Sequence, residues 1–183
     1  MTALMTLREI QRALDELCTP LEARGITGLR LADGGLPEEA IEDFETRLGW
    51  RLPADFRALL QAYDFGDLTL GLVQFCGSGR YLQDLLAFNA HPGRPAHLLL
   101  VAGSDPHLIL LDLADGRVLA LDNELGWEAA IPAARTFELF MRGLGTLAQA
   151  RYRGVGAAPA SLATAIAAEV GVPDSPYWLT WVR

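Results

Sequence analysis

Lysine is absent from this chain of 183 residues, and all 15 of its basic residues are arginine. A Walker-type phosphate loop needs a lysine, so the Gly77-Ser78-Gly79 run is not one, and it does not satisfy Gly-x-Ser-x-Gly either. It reads as a turn. Cysteine is nearly absent: Cys18 and Cys76 stand in unrelated surroundings, which argues against a disulfide framework and fits a reducing cytoplasm, with both thiols read as buried small hydrophobes. Histidine is limited to His91, His97 and His107, none at metal-ligand spacing from another histidine or a cysteine, so neither a metal nor a cofactor is expected. No apolar run approaches the ~18 residues of a membrane span, and Arg8, Glu9 and Arg12 interrupt the first apolar pattern, so neither membrane insertion nor a secretory leader is read.

Positive charge is scarce. Fifteen arginines face 23 carboxylates, for a net charge of -8, which opposes binding to nucleic acid or to an anionic membrane and suits a basic partner. The excess is local. Residues 33–67 carry nine carboxylates against Arg47, Arg51 and Arg57, and residues 104–128 carry six against Arg117. If those segments adjoin in space they would attract a basic protein; otherwise they are solubilising surface.

What is present is a chain whose residues are 51% hydrophobic, enough for one core. Thr6 and Glu9 have capping-box spacing ahead of Leu7, Ile10, Leu14 and Leu17, which predicts a first helix. Thr19-Pro20 predicts a short second piece stopped by Gly25, and Ile26 to Leu31 reads as an edge strand. Helices are expected from Pro37 to Leu48, closed by Gly49, and from Pro53 to Tyr63. From Leu68 the apolar residues come in runs, predicting strands at Leu68–Phe75, His97–Val101, Leu108–Leu113, Arg117–Asp122 and Ala129–Ile131, with a short helix around Leu82, Leu85 and Leu86. Ala114-Asp115-Gly116 predicts a tight hairpin turn. Phe137, Phe140, Met141 and Leu144 mark a closing helix, small residues from Leu147 to Ala160 read as a linker or loose connection, and one more helical stripe leads to Tyr177, Trp178 and Trp181. These aromatics suit either an interface or the core. The expected class is α+β: N-terminal helices, a mostly antiparallel central sheet and a closing helix, with residues 1–147 as the domain and 148–183 as an extension.

Leu36-Pro37 opening a helix, Glu45 on it, Leu48-Gly49 ending it, Leu52-Pro53 starting the next, and Phe56, Leu60 and Gly66 after them resemble the opening of the SUKH superfamily, which includes the yeast Knr-like cell-wall regulators and many bacterial immunity proteins. The resemblance covers residues 36–147. Where the family's turn carries Asn-Gly-Gly or similar, this chain has Asp64-Phe65-Gly66-Asp67. The resemblance implies a SUKH-like fold and a module that binds protein partners around its sheet without catalysis. It further implies a cytoplasmic immunity protein that blocks a cognate toxin, basic if a nuclease, or alternatively a regulatory or scaffolding module. The residues expected to meet such a partner are Glu38, Glu39, Glu42, Asp43, Asp64, Asp67, Asp112, Asp115 and Glu124. As acid-base catalysts the helix carboxylates would need burial or enforced crowding, and a solvated acidic face is the default.

Overall fold

Thr6 and Glu9 close their capping box: the Glu9 amide donates to the Thr6 hydroxyl at 3.3 Å and the Thr6 amide donates to the Glu9 carboxylate at 2.8 Å. In this computed structural model, which describes residues 4–75, 77–154 and 159–182, helix α1 spans Leu7–Glu22 and buries Ile10, Leu14 and Cys18. The separate piece expected at Thr19-Pro20 is the last turn of α1. Proline there deletes only one intrahelical bond, and the stripe that buries Cys18 carries through it. Ile26 to Leu31 is not a strand. Gly28 sits at φ 79, which breaks an extended run, and a Cβ there would lie 1.9 Å from the Asp67 carbonyl oxygen. The loop is pinned instead by the Thr69 amide, which donates to the Gly28 carbonyl at 2.7 Å.

Pro37 and Pro53 act as N-caps, so α2 (Glu38–Leu48) and α3 (Ala54–Ala62) each begin one residue after a proline, and Gly49 ends α2 in the left-handed conformation. Ile41 of α2 and Leu60 of α3 are fully buried. The run from Leu68 to Phe75 is two short strands rather than one: β1 (Thr69–Leu70) doubles back at Gly71-Leu72 into β2 (Val73–Gln74).

After α4 (Tyr81–Phe88) come β3 (Leu98–Ser104), β4 (His107–Asp112), β5 (Val118–Asp122) and, past a 3-10 turn at Trp127–Ala129, β6 (Ile131–Ala134). The six strands form one antiparallel sheet in sequence order. Strand alternation sends Leu99, Ile109, Leu111, Val118 and Ala120 into the helical core, while Leu98, Leu110 and Leu121 gather on the opposite face. A bulge between Leu100 and Ala102 lets Val101 join the core. Side chains pair backbone groups that the ladder leaves open, in the part of β3 that β2 does not reach and on the outer margin of β6. Asn89 substitutes for a strand along β3, accepting from the Leu100 amide at 2.7 Å and donating to its carbonyl at 2.9 Å, and Trp178 donates to the Ala133 carbonyl of β6 at 2.9 Å.

The hairpin between β4 and β5 forms as the Asp-Gly pair predicts, with the Gly116 amide donating to the Asp112 carbonyl at 2.8 Å. Gly116 has φ 80. Gly116→Val should therefore cost about 1–3 kcal/mol of backbone strain. Urea denaturation reads this directly, and an unchanged midpoint would mean the turn tolerates a β-branched residue.

Helix α5 (Phe137–Arg153) is capped twice: the Leu139 amide donates to the Thr136 hydroxyl at 3.2 Å, and the Glu138 amide donates to Asp55 of α3 at 2.9 Å. It continues past Leu147 into the small-residue run expected as a linker, because alanines propagate a helix well and Ala148 is fully buried. Gly156 and the rest of 155–158, like Cys76, lie outside the described residues. Helix α6 (Ala160–Glu169) leads to a 3-10 segment, Tyr177–Val182. Tyr177, Trp178 and Trp181 are 0–1% exposed and belong to the main core, so of the two roles open to these aromatics the core one is realised. Cys18 is buried as expected, and burial pushes its thiol up. Among the described residues no helix is long and apolar enough to cross a membrane.

Candidate functional site

Helix α2 presents Glu38, Glu39, Glu42 and Asp43 to solvent, because Ile41 and Phe44 take its inward face. Three of the four are partly engaged. Glu38 accepts from both Arg57 and Gln61 of α3, Glu42 lies 3.9 Å from Arg57, and Asp43 lies 3.8 Å from Arg47 one turn along. Exposed pairs of this kind hold little energy and leave the surface anionic. Glu39 makes no ion pair among the described residues.

Glu45 is different. Its position, four residues after Ile41 and next to Phe44, places it on the inward stripe, and it is 5% exposed. One carboxylate oxygen accepts from Arg57 at 2.7 Å and Arg51 at 2.8 Å, and the other accepts from the Leu52 amide at 2.9 Å. Burial alone would raise its pKa, but those three donors outweigh burial and hold the carboxyl below the ordinary glutamate range. Glu38 and Glu45 together bind the Arg57 guanidinium still more firmly in its charged form. Glu45 thus locks α2 to the entry of α3, and with it the orientation of the acidic helix.

The hairpin tip reaches the same region. A Cβ on Gly116 would lie 3.5 Å from the Pro53 ring at the start of α3, so the β4–β5 turn abuts the α2–α3 junction. Asp115 is exposed there and pairs with Arg117 at 2.5 Å. Asp112 is 8% exposed and accepts from the Ala114 amide at 3.0 Å, so it shapes the turn from within. Asp64 is exposed on the other flank of α2, accepts from the Gly66 amide at 2.7 Å, and shares with Asp43 a cleft of about 320 Å³ between α2 and α4. Asp67 accepts from the Thr27 hydroxyl at 2.9 Å and fastens the 26–31 loop. Glu124 lies after β5, at the end of the sheet opposite the hairpin tip. The fold therefore brings α2, Asp64 and Asp115 to neighbouring surfaces and leaves Glu124 apart. Among the described residues no three of His, Cys, Asp and Glu gather as metal ligands.

The architecture and the Glu45 lock occupy one continuous stretch of chain, from the Leu36-Pro37 entry to α5. The family model for SMI1 / KNR4 (SUKH-1) matches residues 35–143, more than half of the chain. No curated protein matches. By that match the chain belongs to the SMI1 / KNR4 family (SUKH-1).

Proposed function

We propose that this chain is an immunity protein, acting in the cytoplasm, that neutralises a cognate toxin domain by binding it directly and performs no chemistry of its own. The observation that carries the reading is the anionic outer face of α2, with Glu38, Glu39, Glu42 and Asp43, beside which the hairpin tip sets Asp115 where its turn meets Pro53. A cluster of like charge on one face raises the encounter rate of a basic partner and repels competing acidic ones. A nuclease toxin, built to hold phosphate, has that basic surface. Glu39, Glu42, Asp43, Asp64 and Asp115 are the contacts proposed, with Asp67 and Asp112 holding the loops that flank them.

A regulatory module of the cell-wall-regulator type would share the fold, but not through an aromatic tail, since those rings are buried. Capture from the native cell separates the two. The immunity reading expects recovery of a basic domain whose expression arrests growth, relieved by co-expressing this chain. Recovery of cell-wall or housekeeping proteins, with no relief of any captured domain's toxicity, would replace it by the regulatory reading.

A further inference from the structure

The face of the sheet turned away from the helices is apolar. Leu98, Leu110 and Leu121 are buried there beneath the Trp127 turn, and Leu100 and Leu108 continue the layer beyond that cover. They lead into a groove of about 570 Å³ whose walls include Leu72, from the β1–β2 turn, and Phe88, from the end of α4. Leu72 is 47% exposed and Phe88 53%. Gly103 opposes Leu108 across the β3–β4 ladder, and a Cβ placed on it would meet no atom within 4 Å, so the missing side chain helps to open the space.

One end of this groove is anionic. Asp105 lines it, as does Asn123, which is flanked in the chain by Asp122 and Glu124. The two loops are tied together by the Asn123 amide, which donates to the Pro106 carbonyl at 3.0 Å. Among the described residues no arginine pairs with Asp105, Asp122 or Glu124, whereas Glu38, Glu42 and Glu45 of α2 share Arg57 and Asp43 pairs with Arg47. An apolar slot with an uncompensated anionic end is complementary to one chemistry: a large apolar side chain followed by Lys or Arg.

We propose that this groove seats an apolar anchor from a basic segment of the protein partner, with the flanking cations set against Asp105 and Glu124. The proposal rests on the reading of the chain as a binder of a basic protein, and adds a second contact, at the end of the sheet away from the hairpin tip. It gives Glu124 a place that the α2 face does not.

The probe is a synthetic dodecapeptide with a central Leu-Phe flanked by arginines, titrated into the full chain and followed by amide chemical shifts. Shifts should centre on Leu72, Gly103 and Leu108, and affinity should fall at least tenfold when glutamates replace the arginines or alanines replace Leu-Phe. Gly103→Leu, which fills the groove, should abolish binding, and Leu72→Ser/Phe88→Ser, both at exposed positions, should weaken it at least fivefold should the glycine variant misfold. Equal binding by these variants, or no binding to the wild type, overturns the groove. If only Glu39→Arg/Glu42→Arg/Asp43→Arg abolishes binding, the groove falls while the basic-partner reading stands. A wild-type dimer in sedimentation that Gly103→Leu dissociates would assign the groove to a second copy and likewise overturn the proposal.

Discussion

Trp178→Ala should lower stability by about 3–5 kcal/mol, the range for deleting a large buried aromatic ring. Trp178 is fully buried, packs against Phe140 at a centroid distance of 5.9 Å and Tyr177 at 5.1 Å, and donates its indole N–H to Ala133 on the margin of β6. The substitution removes ring packing and also leaves that carbonyl unpaired. Truncation after Gly171 removes Tyr177 and Trp181 as well. With a domain's whole stability at about 5–15 kcal/mol, the truncated chain should be largely unfolded at 37 °C. Circular dichroism on the two variants tests this. A truncated chain that melts with the wild type would show the tail to be dispensable for the core.

Glu45→Ala should cost about 3 kcal/mol, the lower end of the range for breaking a buried ion pair, because Arg57 keeps Glu38 and Arg51 is largely exposed to water. The loss falls on the Leu52 amide as well, which donates to Glu45 at the entry to α3. Its pH dependence follows from the lowered carboxyl. A group whose folded pKa lies below its unfolded one stabilises fully above the unfolded value, ~4.3 for glutamate, and the stabilisation fades as pH falls through the folded value. Wild-type stability should thus decline on acidification below about pH 4–5, and Glu45→Gln should flatten part of that decline. Glu39→Gln, at an exposed position, should leave stability at neutral pH unchanged. Equal acid sensitivity in wild type and Glu45→Gln would remove Glu45 from its structural role.

Helix α2 is legible in the sequence because Pro37 and Gly49 bracket a stripe of Ile41, Phe44 and Leu48, and the β4–β5 hairpin is legible because Asp115-Gly116 supplies a positive φ between two apolar runs. Glu45 is legible only in part. Its place on the stripe marks it as inward, but the arginines that satisfy it come from beyond the helix, and composition alone groups it with its solvated neighbours. The contact of Gly116 with Pro53 is tertiary and leaves no periodic trace. Ile26 to Leu31 has strand-like residue types, yet one left-handed glycine decides against the strand. The closing aromatics fit equally well a core or an interface, and only the position of β6 relative to α5 settles their burial.

The most direct test of an electrostatic protein-binding face is the association rate of the captured partner as a function of salt. Exposed charges are screened beyond ~8 Å at physiological ionic strength. The rate should therefore fall steeply between low and high salt for the wild type, and Glu39→Arg/Glu42→Arg/Asp43→Arg, which spares Glu38 and Glu45, should be at least tenfold slower at low salt with an unchanged melting temperature. A rate independent of salt, and equal for wild type and triple variant, would contradict the acidic face as the site of binding.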